Sequence, residues 1–182
     1  MNRTARTHRS SRGFTLVELC VSMGICVTLL GHAVPAMTKL RQEQLLRVTA
    51  ESLANDLRFA RSEASRLSDS VHFRVSAKGA QACYVLHTGA AKDCDCAGGQ
   101  AVCKTATSAV LKAQWLPANQ PLTLRSNAET LQFQHRQGLV TQTGSIEVAL
   151  ENGPGIRQVI AITGRVRTCA THEKFGRLAK CA

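Results

Sequence analysis

An α+β fold, with a long N-terminal helix packed on an antiparallel β-sheet head, follows from three observations on this 182-residue chain. Phe14 to Met37 is almost wholly apolar. From Leu46 to Leu67 apolar residues recur at helical spacing. After Ser68 the pattern changes to short alternating runs separated by turn residues. A helix first and strands afterwards is the element order of an α+β domain.

The first apolar run is long enough to span a bilayer, which takes about 20 residues as a helix. Glu18 and His32 are its only ionisable members. Ahead of it stand Arg3, Arg6, Arg9 and Arg12 with no acidic residue among them, which predicts a cytoplasmic N-terminus and an exported remainder. A secretory signal peptide carries its small residues after the apolar core. Here Gly13 precedes the core, so a cut after it would leave the apolar segment on the mature chain. A carboxylate in hydrocarbon is costly, so Glu18 is expected to face a partner rather than lipid. Pro35 lacks an N–H and is expected to kink or open the helix near the membrane exit.

Beyond the membrane the helix is expected to continue. Leu46, Leu53, Leu57, Ala60, Ala64 and Leu67 lie on one face, and Arg41, Glu51, Asn55, Arg58, Ser62 and Arg66 on the other. A helix from Phe14 to about Leu67 would be roughly 80 Å long. Arg58, Arg61 and Arg66 are interspersed with Asp56, Glu63 and Asp69, so they read as a solvated face that contributes little to binding an anion.

Strands are predicted at Val71–Val75, Cys83–Leu86, Val110–Leu116, Leu122–Arg125, Leu131–Gln134, Ile146–Leu150 and Val159–Ile162. Gly79, Gly89, Gly98-Gly99, Pro117, Asn127, Gly138, Gly144 and Asn152–Gly155 punctuate them. About 115 residues of head can bury one modest core. The chain then divides as a leader at 1–13, a membrane segment at 14–37, an amphipathic continuation at 38–68, a β-rich head at 69–163 and a basic tail at 164–182.

Cys20 and Cys26 in the apolar segment read as small apolar residues. Cys83, Cys94, Cys96, Cys103, Cys169 and Cys181 lie in the exported part, an even number that suggests disulfides. Cys169 and Cys181 would close a loop and hold the basic tail near Arg165 and Arg167. Cys94 and Cys96 are too close to pair readily with each other. Each is expected to bond Cys83 or Cys103, in an order left open. A zinc site at Cys83, Cys94, Cys96 and Cys103 is the rival, disfavoured by the Cys-x-Cys spacing. The six histidines show no metal-ligand spacing and no phosphate-binding glycine loop precedes a lysine, so no enzyme, cofactor or metal is expected. With aromatic residues at 4%, a base-stacking platform for single strands is not expected either.

Arg12-Gly13-Phe14-Thr15-Leu16-Val17-Glu18 resembles the type IV prepilin signal, and the family it implies is the type IV pilins and type II secretion pseudopilins. That resemblance implies cleavage by a prepilin peptidase between Gly13 and Phe14, N-methylation of Phe14, and a meeting of Glu18 with a neighbouring subunit's N-terminal amine during assembly. It further implies an inner-membrane protein with its head in the periplasm, partnered by other pilin or pseudopilin subunits. Gly164-Arg165-Val166-Arg167 is similar to the Gly-Arg-x-Arg element of the FimT/GspH minor pilins, which implies binding of double-stranded DNA during natural transformation.

The chemistry of the segment agrees. Residues two apart in an extended chain share a face, so Arg165 and Arg167 would project together, and Gly164 permits a bend or close approach. From Arg157 onward the basic residues are Arg157, Arg165, Arg167, Lys174, Arg177 and Lys180, opposed only by Glu173, in a chain of formal charge +11. Such a concentration suits phosphate contacts without base preference, with Lys174 and Arg177 joining Gly164, Arg165 and Arg167. The alternative is a structural minor pilin or GspH-like pseudopilin that primes or caps a filament without touching DNA.

Overall fold

The computed structural model describes residue 13 and residues 15–77, 81–135 and 137–181. Phe14, Gly79 and the leader arginines, singled out above, lie outside the described residues. By Cα packing the chain divides into two compact units, Met1–Arg41 and Gln42–Ala182.

Helix α1 spans Leu16–Leu67. Thr15 starts it: its Oγ1 accepts the Glu18 N–H at 3.3 Å, and Glu18 sits in the first turn, where the helix dipole favours a negative charge. The helix continues past Pro35, so the proline does not end it. Thr38 Oγ1 donates to the Pro35 carbonyl at 2.8 Å. The N-terminal part of α1 is long and apolar enough to cross a membrane, with a mean hydropathy of 1.8. Its Val17, Met23, Leu29 and Val34 are exposed in the isolated chain.

In the second unit the helix offers a stripe of Leu46, Ala50, Leu53, Leu57, Ala60 and Ala64, each at most 1% exposed. The steps of four and three residues keep them on one side. Leu67, expected in that stripe, is 36% exposed, because the chain turns away at Ser68, whose φ of 53° is the left-handed geometry of a helix C-cap.

The strands are β1 (Val71–Ser76), β2 (Cys83–His87), β3 (Cys94–Asp95), β4 (Val102–Cys103), β5 (Val110–Trp115), β6 (Leu122–Ser126), β7 (Thr130–Phe133), β8 (Gly144–Leu150), β9 (Gly155–Ile160) and β10 (Val166–Ala170). They form two four-stranded sheets, ordered β5-β2-β1-β7 and β10-β9-β8-β6, and the β3-β4 hairpin. Every strand pair is antiparallel. Phe73, Leu86, Leu131 and Phe133 of the first sheet and Ile146, Val148, Ile156 and Ile160 of the second join the helix stripe in one core. All its buried members lie between Leu46 and Ile160, so a chain beginning at Gln42 keeps the whole core.

Two buried polar ties fix the helix to the strands. Asp56, 3% exposed, accepts the Tyr84 hydroxyl at 2.8 Å and Lys112 Nζ at 2.5 Å. Burial, and then Asp56, push the Tyr84 phenol up. Gln158, fully buried, donates through Nε2 to the Ala50 carbonyl at 3.0 Å and accepts the Thr168 hydroxyl at 2.6 Å. Each satisfies polar groups that would otherwise be costly to bury.

Several strand expectations need correction. The strand expected at Val159–Ile162 runs from Gly155 to Ile160 instead, and Ile162 lies in a turn, 53% exposed. The two-residue β3 and β4 were not foreseen. They are too short to show alternation and are stapled by Cys94–Cys103. Cys83 bonds Cys96 and Cys169 bonds Cys181, which resolves the open pairing and commits to disulfides the four sulfurs of the rival zinc site. Cys20 and Cys26 are free. The segment 164–182, read as a tail, belongs to the head: β10 pairs with β9 from Val166↔Ile160 to Ala170↔Ile156.

His72 and His87 are cross-strand partners on β1 and β2, with rings stacked 5.3 Å apart and exposures of 3% and 0%. His72 Nδ1 and His87 Nε2 have no hydrogen-bond partner among the described residues. Burial lowers both pKa values. For His72 the charge of His87 adds to it, against a backbone hydrogen bond at Gly89 and the charge of Asp69. For His87 a backbone hydrogen bond at Thr88 opposes it, ahead of the lowering charge of Arg74 and the raising charge of Asp93. Both rings are therefore neutral in the fold and take up protons more readily in the unfolded chain, whose histidines titrate near 6.5. Stability is full above that pH and falls below it, by at most about 1.4 kcal/mol per pH unit for each histidine. Urea unfolding of the head should show a lower midpoint at pH 5 than at pH 7, and His72→Gln should narrow the gap.

Candidate nucleic-acid interface

The turn between β9 and β10 closes through two backbone bonds, Gly164 N–H to the Ala161 carbonyl at 2.8 Å and Ala161 N–H to the Arg165 carbonyl at 3.0 Å. Gly164 has φ +73° and is buried. A Cβ there would run into the Gly138 carbonyl oxygen and lie 3.1 Å from Arg61 Cδ and Nε. Glycine thus serves both the turn and the close approach of the neighbouring loop.

Arg165 and Arg167 are exposed, and Val166 between them is half-buried against the core, the alternation an extended segment requires. β10 is an edge strand that carries Arg167, and Arg165 stands one residue before it, at the end of the turn. Among the described residues neither pairs with a carboxylate, whereas Arg157 is bound to Glu147 at 2.8 Å.

The remaining basic candidates lie elsewhere. Cys181 bonds Cys169, and the Ala170 N–H donates to the Ala179 carbonyl at 2.8 Å, so the closed loop lies along the end of β10. Arg47 covers the Phe175 ring at 4.8 Å. Arg177 lines a cavity of about 360 Å³ with Arg47, Glu51, Ile156 and Phe175, and Lys174 lies beside Gly153 and Pro154 at the β8–β9 turn. That end of β10 is about 17 Å from Arg165, five residues of strand away. The Cys169–Cys181 bond leaves Lys174 and Arg177 away from Arg165, because β10 runs away from the turn before the loop begins, but Arg177 shares its cavity with Thr168, the neighbour of Arg167.

What lies beside Arg165 is the helix. Arg58, Arg61, Ser62 and Ser65 of α1 line a groove of about 420 Å³ with Gly164, Arg165 and Val166. Sequence reasoning set the helical arginines apart from the Gly-Arg-x-Arg element. The spacing 58, 61, 62, 65 marks one helical stripe, but nothing in the sequence shows which turn faces it. Glu18 and Gly13 are exposed, in the first turn of α1 and just before it.

Gly164→Ala should destabilise the head by at least about 2 kcal/mol, since left-handed backbone alone costs an L-residue about 1–2 kcal/mol and the Gly138 backbone must also shift. Chemical denaturation of the two proteins measures this. Ala at the exposed position 165 should change stability little.

The family model described as "Type II transport protein GspH" matches residues 49–164, more than half of the chain. It ends at Gly164, so Arg165, Arg167 and the disulfide loop lie beyond it. No curated protein sequence matches the chain. Two crystal forms of the type IV minor pilin FimU of Pseudomonas aeruginosa share the fold, each with 18% identity and a TM-score of 0.51. One match covers 67% of this chain and 86% of the FimU chain, the other 70% and 98%. The α+β architecture of a helix packed on antiparallel sheets is therefore that of a pilin, and the chain belongs to the GspH family of minor pilins and pseudopilins.

Proposed function

We propose that this minor pilin binds double-stranded DNA without sequence preference through Gly164, Arg165 and Arg167, and so serves DNA uptake in natural transformation. The observation that carries the reading is the pair of exposed, carboxylate-free guanidiniums of Arg165, in the β9–β10 turn, and Arg167, on the edge strand β10. Two forked donors side by side suit phosphate oxygens. Lys174 and Arg177, beyond the far end of β10 from Arg165, supply secondary contacts along the duplex.

The protein enters the inner membrane through its apolar helix, with Arg3 to Arg12 in the cytoplasm and the head in the periplasm. Prepilin peptidase removes the leader at Gly13-Phe14, Phe14 is methylated, and Glu18 receives the amine of a neighbouring subunit as the filament grows. The GspH family match supports a second reading, in which the chain is a structural pseudopilin of type II secretion and Arg165 and Arg167 only keep an edge strand from pairing wrongly.

Arg165→Ala and Arg167→Ala, singly and together, should weaken duplex binding by the head in a mobility-shift assay while its melting temperature stays unchanged. Binding should fall steeply with salt, and each lost phosphate contact should lower the log–log salt slope by about 0.9. Unchanged binding by the double variant would move the assignment to the structural pseudopilin. Maturation is tested separately. Mass spectrometry of the membrane fraction should find an N-terminus at Phe14, and Gly13 replaced by Leu should leave it at Met1.

A further inference from the structure

We propose that the groove between α1 and the β9–β10 turn is a seat for a nucleic-acid phosphodiester, gripped by Arg58 and Arg61 of the helix together with Arg165. This rests on the DNA-binding reading and extends it, since the duplex then lies across the helix and the turn rather than along β10 alone.

The charges of the helical arginines are unspent. Asp56 is buried and held by Tyr84 and Lys112. Glu63 is held by Arg66, whose hydrogen bonds lower its pKa. Asp69 accepts the Ser70 N–H at 2.7 Å. Asp56 and Glu63, the acids that alternate with these arginines on the helix, are thus paired with other cations. Among the described residues no carboxylate pairs with Arg58, Arg61 or Arg165. Arg58 Nη1 donates to Asn55 Oδ1 at 2.9 Å, which orients the guanidinium without neutralising it.

Arg61 is also positioned in advance. Its stem crosses the two glycine backbones: a Cβ built on Gly138 would lie 2.8 Å from Arg61 Nε, and one on Gly164 3.1 Å from it. A guanidinium already placed loses less freedom on binding. Between the arginines Ser62 and Ser65 are exposed and small, which keeps the floor of the groove open. Three guanidiniums around one open space form a donor set matched to phosphate oxygens.

The test uses the full chain in neutral detergent and a fluorescein-labelled duplex, with affinity read by anisotropy across a salt series. The Arg58→Gln/Arg61→Gln double variant should bind about tenfold or more weakly and lose about 1.8 from the log–log salt slope. Ser62→Glu, which puts a carboxylate in the groove with every arginine intact, should also weaken binding. Lys104→Gln/Arg125→Gln removes the same charge from exposed sites outside the groove and should change little. Wild-type affinity and slope in the Arg58/Arg61 variant, with binding lost in the Arg165/Arg167 variant, would overturn the seat and leave the proposed function standing. An equal loss in the Lys104/Arg125 control would also overturn it, because net charge alone would then explain the effect. A wild-type chain that binds no duplex would sink both.

Discussion

The head depends on the seating of two sheets against one narrow stripe of α1. Leucine and alanine share that stripe, with Ala50, Ala60 and Ala64 among Leu46, Leu53 and Leu57. The alanines and leucines of the stripe pack together with buried residues of both sheets in one core. Gln158 adds a polar tie: its side chain reaches the carbonyl of Ala50 from the sheet that carries β10. Removing a leucine here would open a cavity that rigid strands fill poorly, at a typical cost of about 2–5 kcal/mol. The seating also sets the functional geometry, because it fixes the height along the helix at which the β9–β10 turn arrives.

Much of this was legible in the sequence where one residue pattern answers to one physical demand. The helix stripe follows from a period near 3.6, and the long strands from alternation. The exposed Arg165 and Arg167 around an inward Val166 follow from the pleat alone. Gly164 was legible as a turn residue, but its second constraint, the Gly138 carbonyl, comes from a loop 26 residues away and leaves no local trace. The same limit hid the groove. Whether Arg61 is offset by Asp56 depends on where Asp56 points, and it points inward, to Tyr84 and Lys112. Interspersed opposite charges indicate a neutral surface only while all of them stay on it.

The cysteines were legible as disulfides but not as pairs, since pairing depends on strand placement. Cys94 and Cys103 are brought opposite each other by the β3-β4 hairpin, and Cys83 at the start of β2 meets Cys96, the first residue after β3 within that hairpin. The histidines gave least sign of their role. A lone histidine in an alternating run is unremarkable, and only the β1–β2 register turns two of them into a buried pair.

The disulfides of residues 83–103 are crossed: Cys83 skips Cys94 to reach Cys96, and Cys94 passes over Cys96 to reach Cys103. A chain oxidised in order of emergence would join Cys83 to Cys94 first, and that bond must then be undone by thiol exchange before the hairpin can form. A head oxidised in that order would need a compartment that reshuffles thiols as well as oxidising them. Under that order, the yield of correctly joined subunits would report the isomerase capacity of the host as much as the stability of the fold.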